Sequence, residues 1–380
     1  MTSPIDFMRQ AIALGERARY DAPPNPWVGC LIVKEGEIIG EGYTQPVGQP
    51  HAEICALQQA GEKAKGATLY VTLEPCPHTG QTPPCTEALI EAGIREVYVG
   101  IQDPDPRVQG KGVSRLQQAG IHVHHKLCEE EIRHALAPYL YHRRTTLPFT
   151  ILKAAISLDG RMAAVNHASQ WLTCALARED AHLQRAASQA IVVGAGTALK
   201  DEPRLTVRHA SWKHSQQPLR VVLDAKGRVP AKGALFDRQL APTLVITTSL
   251  SSKEQRDAWE LAGADVAVVA YSARGVDLHE AWHLLGKRSI LQVLVEGGAT
   301  LHTSLLETSL VNRLLIYIAP LFLGSSALPL YQKPIATLQH ARRLSLQEVQ
   351  RLDECVRLDY AIPIPLQEFD VDKAQALGIE

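Results

Sequence analysis

"GATLYVTLEPCPHTGQTPPCTEALIEAG", residues 66–93, reads as a strand that runs into a proline-rich loop and leaves it through a helix. Gly93 just past that helix fits a left-handed cap, and a second strand, "EVYVGI", follows at once. Strand, loop and helix in this order form the repeating unit of an α/β layered domain. The flanking sequence keeps the alternation. Residues 4–19 predict a helix, with Phe7, Met8, Ala11, Ile12 and Leu14 sharing one side. "VGCLIVKEGEIIGEGY" predicts a hairpin turning near Glu35-Gly36, and "HAEICALQQAG" a helix closed by Gly61. Residues 110–119 predict a helix ended by Gly120, before a strand in "IHVHH".

A charged helix over 129–147 leads into "HRRTTLPF", where the domain boundary is placed near Leu147-Pro148. This gives a first domain over 1–146 and a second over 147–380, with an appended tail from about residue 363. The second domain also alternates: strand 149–156, helix 174–188, strands in "AIVVGAG", "LRVVLD", "TLVITT", "ADVAVVA" and "ILQVLVEGG", then helix 299–308.

Composition agrees with two soluble domains. A chain of 380 residues is too long for one ordinary core, and 46% hydrophobic with 21% charged residues is a globular composition. A formal net charge of −1 offers no field for a nucleic-acid backbone or an acidic membrane, though a small anion needs only a few local donors. The N-terminus lacks the apolar run of a signal peptide, and "LLIYIAPLFLG" at 314–324 is too short to cross a bilayer and reads as a core strand. Seven cysteines, an odd and scattered set, favour a reducing cytoplasm.

Two of those cysteines carry chemistry. His51, Cys76 and Cys85 offer three metal ligands, and eight residues separate the two thiols, unlike the close pairs of a structural zinc site. Three ligands leave the fourth tetrahedral position of a Zn2+ ion open for water, whose pKa falls toward neutrality there. Glu53 lies two residues after His51 and is placed to carry a proton from that water to a leaving nitrogen. H-x-E followed by P-C and a second cysteine is the pattern of zinc deaminases, here with a longer loop. His78 is an alternative ligand inside the loop, and a purely structural zinc is the competing reading. Cys30, Cys55, Cys128, Cys174 and Cys355 read as core.

"NPWVGC", "HAEICAL", "VTLEPCPHTGQTPPC" and "QDPDPRVQGKG", in this order, resemble the deaminase domain of the bifunctional riboflavin-biosynthesis deaminase/reductases. The resemblance implies a cytidine-deaminase-like three-layer α/β/α domain. It implies that Asn25 hydrogen-bonds the pyrimidine and Asp103 helps hold the ribosyl-phosphate portion. Thr44 stands where the family has a histidine, Gln81 where it has a cation, and Asp105 where it has an asparagine. A lost cation and a gained anion disfavour a phosphate nearby.

The second domain has no G-x-G-x-x-G after a strand. "LVEGGATL" and "VGAGTALKDEP" place glycines after strands instead, each weak alone as a phosphate cradle. With "LKAAISLDGRMA", "SQWLT" and "SLVNRLLIYIAPLFLG", they resemble the reductase domain of the same family, similar in fold to dihydrofolate reductase and using NADPH. The resemblance implies NADPH contacts at Ala155, Trp171, Thr197, Asp201 and Gly298, Ala299, Thr300, Leu301, His302, Thr303 and Ser304. It implies substrate contacts at Ser169, Arg185, Leu205, Arg208 and Glu296, with the two arginines suited to a 5′-phosphate. Lys153 and Glu296 are candidates for handling protons at the sugar. The implied substrate is a pyrimidine ribosyl phosphate, deaminated and then reduced to a ribityl product, in a homo-oligomer (dimer or tetramer). A deaminase acting on another nucleobase derivative, or a reductase with a silent first domain, is the alternative.

Overall fold

The computed structural model describes residues 2–79, 83–166, 172–209, 212 and 216–363. The chain divides between Thr146 and Leu147 into two compact units. The first unit starts with α1 (Pro4–Gly15), whose cap is reciprocal: the Ser3 hydroxyl accepts from the Asp6 amide and the Asp6 carboxylate accepts in return. The predicted helix over 4–19 tightens after Gly15 into a 3-10 turn over Glu16–Ala18. Strands β1 (Gly29–Lys34) and β2 (Glu37–Tyr43) form the expected hairpin, turned by Glu35 and Gly36 at φ of 52° and 83°. Then come α2 (Ala52–Ala60), β3 (Thr68–Leu73), α3 (Cys85–Glu91), β4 (Glu96–Ile101), α4 (Lys111–Gln118) and β5 (His122–His125). The predicted charged helix is two, α5 (Glu129–Ala135) and α6 (Ala137–Thr145), divided at Leu136 with Pro138 in the first turn of the second.

The first sheet has the order β2-β1-β3-β4-β5; β1 is antiparallel to both neighbours, and β3, β4 and β5 are parallel. Helices lie on both faces, and two glycines show why they lie so close. A Cβ on Gly42 would come within 1.9 Å of the Ala52 carbonyl oxygen in α2. On Gly29, whose side points the other way, it would come within 1.8 Å of the Ala11 carbonyl oxygen in α1. The unit is therefore a three-layer α/β/α sandwich in which α2 rests directly on the hairpin.

In the second unit β6 (Phe149–Ser157), β7 (Arg161–Ala163), α7 (Ala175–Ala186), β8 (Ala190–Gly194) and α8 (Ala195–Asp201) come first. Next are β9 (Leu219–Leu223), β10 (Thr243–Thr247), α9 (Lys253–Leu261), β11 (Asp265–Val268), β12 (Tyr271–Ser272), β13 (Gly275–Val276) and α10 (Leu278–Lys287). The last elements are β14 (Gln292–Val295), α11 (Ala299–Leu306), β15 (Arg313–Ala319), β16 (Leu328–Pro329), β17 (Ser345–Leu352) and β18 (Cys355–Ala361). The nine-stranded sheet runs β11-β10-β9-β8-β14-β6-β15-β18-β17, parallel from β11 to β15, with the last two strands antiparallel. Short ribbons pair β7 with β16 and β12 with β13. "VGAGTALKDEP" departs from its reading as a glycine loop: helix α8 begins immediately after Gly194. Trp259 and Trp282 are fully buried, and both indole N–H groups find partners, donating to the Val229 carbonyl at 2.8 Å and the Thr150 hydroxyl at 2.6 Å. "LLIYIAPLFLG" supplies the interior strand β15, and among the described residues no helix is long and apolar enough to cross a membrane.

Candidate active sites

In the first unit three elements converge. His51 caps α2 with extended backbone, Cys76 follows β3, and Cys85 is the first residue of α3. The ligand atoms of these three residues all lie within 4.8 Å of one another. His51 Nδ1 stands 3.6 Å from Cys76 Sγ and 3.3 Å from Cys85 Sγ. Tetrahedral zinc, with bonds of about 2.3 Å to sulfur and about 2.0 Å to nitrogen, needs an N···S separation of roughly 3.5 Å. The cluster fits that geometry with its side chains as they stand. The Cys85 amide donates to Cys76 Sγ at 3.4 Å, and the hydrogen bond shared with Cys85, helped by His51, pulls the Cys76 thiol down. The same bond and burial push Cys85 up. His78 lies outside the cluster.

Glu53, in the first turn of α2, is buried, and its carboxyl is hydrogen-bonded to the Cys85 thiol. Burial first, then the Cys76 charge, raises it to about 6. Asn25 is half-buried just after the Pro23-Pro24 pair. Asp103 is buried and its oxygens accept from the Tyr139 hydroxyl at 3.1 Å and the Asp105 amide at 2.9 Å. Its carboxylate thus braces the loop after β4 and is not presented outward.

The second unit contains a cavity of about 1110 Å³, at the upper end of the size of small-molecule sites. It opens at the carboxyl ends of β8, β9 and β14, where ligands bind in open α/β sheets. Thr197, Asp201, Gly298, Ala299, Thr300, Leu301, Ser304 and Glu296 line it. Gly298 caps α11 with extended backbone, and a Cβ on it would stand 3.6 Å from Thr197 Oγ1 of α8, so the starts of the two helices lie side by side at the cavity. Lys226, Arg228 and Arg274 supply cations on the lining, and sequence reading missed them. The signal available was position: Lys226 and Arg228 follow β9, whose carboxyl end faces the cavity.

Other expectations need correction. His302 is fully buried with neither ring nitrogen bonded, and burial depresses it to about 3; it lies on the inner side of α11, not against the cavity. Thr303 Oγ1 accepts from the Gln332 amide at 3.0 Å, and neither it nor Ala155 is a lining residue. The Leu205 side chain is in the core with Ile191, Val193 and Trp259, although its backbone adopts φ of 51°. Arg185 is held at the wall of the site: its Nε and second terminal nitrogen grip Glu296 at 2.5 and 2.8 Å, and its remaining nitrogen donates to the Thr206 carbonyl. Burial would raise Glu296, but Arg185 and Lys153 hold it down at about 2, so it is a fixed carboxylate. Burial lowers Lys153, against the pull of the Glu296 charge. Arg208 is exposed and donates to Thr206 Oγ1 at 3.1 Å. Ser169 and Trp171 lie outside the described residues, as do Gln81 and the tail beyond 363.

Comparison with known proteins decides the family. Residues 148–358 match the RibD C-terminal domain, and residues 1–101 match the cytidine and deoxycytidylate deaminase zinc-binding region. The chain belongs to the RibD family. It is 44% identical to the riboflavin biosynthesis protein RibD of Chlamydia pneumoniae over 357 residues, 94% of this chain and 95% of that protein. A solved structure of Acinetobacter baumannii RibD superposes with a TM-score of 0.86 at 38% identity, covering 94% of this chain and 98% of that one. The diaminohydroxyphosphoribosylaminopyrimidine deaminase/5-amino-6-(5-phosphoribosylamino)uracil reductase of Thermotoga maritima gives 0.83 at 32% identity over 94% of this chain and 98% of its own. The deaminase-like and reductase-like units are thus those of RibD.

Against this family, two departures at the first site are absorbed locally. Thr44 is buried and exchanges hydrogen bonds with Val28, its hydroxyl accepting from the Val28 amide at 3.0 Å. The Asp105 carboxylate is gripped by Arg107 at 2.9 and 2.6 Å, with Arg143 at 3.8 Å. The Asp105 charge therefore faces two guanidinium groups.

Proposed function

We propose that this RibD chain catalyses two consecutive steps of riboflavin biosynthesis, one in each unit. The first is hydrolytic deamination of 2,5-diamino-6-ribosylamino-4(3H)-pyrimidinone 5′-phosphate; the second is NADPH-dependent reduction of its ribosyl group to ribityl. The observation that carries the reading is the cluster of His51, Cys76 and Cys85 with the buried Glu53 carboxyl beside it.

Those three residues would hold Zn2+, which when bound makes a water nucleophilic near neutral pH. Glu53 takes a proton on its carboxylate and returns it to the departing amino nitrogen, a double duty suited to a group titrating at about 6. Asn25 hydrogen-bonds the pyrimidine, and Asp103 acts by fixing the loop that carries Asp105 and Arg107.

In the second unit, Thr197, Asp201 and the turn into α11 would hold NADPH, with Lys226, Arg228 and Arg274 suited to its additional phosphate. NADPH supplies the hydride. Lys153 delivers the proton to the sugar oxygen, Glu296 and Arg185 fix the polar wall beside it, and Arg208 with Ser169 meets the substrate. Trp171 completes the cofactor contacts that the family resemblance implies. We further propose a dimer or tetramer in the cytoplasm, which sedimentation would test.

The experiment is a paired assay on zinc-loaded protein with the diaminopyrimidine substrate, following ammonia release and NADPH oxidation together. Ammonia should appear first and NADPH should fall in proportion. Glu53→Gln should lower ammonia release about 10² to 10⁴-fold while retaining zinc. Bound zinc without ammonia release in the wild type would overturn the deaminase reading.

A further inference from the structure

The second unit contains a buried chain of polar groups that the reading above leaves without a role. Tyr317, in the middle of β15, is 1% exposed, and strand register sets it opposite Ala155 of β6 on one side and Arg357 of β18 on the other. Its hydroxyl donates to Asp180 Oδ2 at 2.5 Å. The other oxygen of Asp180, on α7, accepts from Arg357 at 2.8 Å, and Arg357 reaches on to Glu348 of β17 at 2.7 Å. On the opposite flank, Lys153 Nζ stands 5.6 Å from the centre of the Tyr317 ring. Helix α7 thus carries both Asp180, at this chain, and Arg185, at the pair with Glu296.

A phenol, a carboxylate and a guanidinium are costly to bury, and apolar side chains of similar volume would hold these strands together as well. The arrangement has an electrostatic consequence that apolar groups would lack. A phenol donating a short bond to a carboxylate moves electron density into its ring, and the ring face attracts a cation above it. Arg357 and the hydrogen bond fix the ring in one orientation. We propose that Tyr317, locked by Asp180 and Arg357, is a positioning residue that holds the Lys153 ammonium over its ring, where the ribosyl oxygen must receive its proton. The inference rests on the reductase reading for the substrate and on the geometry above for the contact. The other groups facing Lys153 are Glu296, which favours its charged form, Arg185, which opposes it, and His302, which burial keeps uncharged.

Tyr317→Phe keeps the ring and loses the bond to Asp180; Tyr317→Leu loses the ring. The full-length, zinc-loaded proteins are labelled with acetic anhydride across pH, and the titration of Lys153 is read by peptide mass spectrometry. Reductase kinetics are measured with substrate already deaminated, and thermal midpoints are recorded. The expected result is a fall in the Lys153 titration midpoint, small in Tyr317→Phe and about half a pH unit or more in Tyr317→Leu. The basic limb of the kcat/KM profile should shift by the same amount, with kcat down roughly threefold to tenfold and KM for NADPH unchanged. If the Leu variant does not fold, the shift in Tyr317→Phe decides. An unmoved Lys153 midpoint with only a lower thermal midpoint would overturn the proposal and leave Tyr317 as packing. A wild-type protein that fails to oxidise NADPH with this substrate would refute the reductase reading instead, and the labelling shift would then decide the Lys153–Tyr317 contact alone.

Discussion

Asp103 and Asp105 stand two residues apart on one loop and titrate in opposite directions. Burial raises Asp103 to about 6, against the bonds it accepts from Asp105 and Tyr139; the Arg107 bond holds Asp105 at about 2 despite burial. Both start from an unfolded value of 3.8, so their linkage has opposite signs. Asp103 favours the native state at low pH and loses that contribution as pH rises through about 6. Asp105 favours it above 3.8 and loses that contribution as pH falls through about 2, an effect that screening through the exposed Arg107 side chain holds to about 1 kcal/mol or less. Asp105→Asn should therefore cost up to about 1 kcal/mol at pH 7 and cost little near pH 2. Urea midpoints at both pH values check this, and equal midpoints at pH 7 would show that the Arg107 pair adds no stability. The same residues mark a limit on what sequence shows: Asp105 reads as an unfavourable anion until the fold brings Arg143 to it from α6. Arg185 and Glu296 behave likewise. Their side chains are those of a phosphate and sugar site, and only the folded chain shows them bonded to each other across 111 positions.

Elements were legible where glycine or proline punctuates them and obscure where the signal depends on burial. The hairpin turn at Glu35-Gly36 and the caps at Gly61, Gly93 and Gly120 have positive φ, which sequence reports directly. The metal site was legible for the same reason: each ligand sits at the end of an element beside a cap or a proline. Helix α8 was hidden because Gly194 and Gly196 resemble a loop, yet Gly194 is the extended cap and the helix starts beside it. Strand β17 is exposed along most of its length and carries no alternation to find; pairing with β18 defines it. The close seat of α2 on β2 has a testable cost. Gly42→Ala places a methyl where the Ala52 carbonyl already stands, so α2 must move with His51 and Glu53 on its first turn. The variant should lose about 1–3 kcal/mol of stability and bind zinc more weakly, read by denaturant titration and by competition with a chelating dye. Unchanged zinc affinity would mean that α2 shifts without disturbing its N-terminus.

Across the whole molecule the two chemistries are carried by different units. The metal cluster draws its ligands from residues before Thr146, and every residue lining the large cavity comes after Leu147. A structural consequence of metal binding is that its free energy adds to the folding free energy of the unit that supplies the ligands. Removing the metal with a strong chelator should abolish ammonia release and lower the thermal stability of the first unit. The second unit holds none of the ligands, so NADPH oxidation with already deaminated substrate should keep its rate, and saturating NADPH should still raise the melting of that unit by mass action. Assays with the two substrates, before and after chelation and after zinc is restored, read both units in one chain. Loss of both activities, regained together on adding zinc, would show that the first unit's fold controls the second site. Loss of ammonia release alone would make each unit's chemistry depend only on the residues it contains, which is what the separation of ligands and cavity predicts.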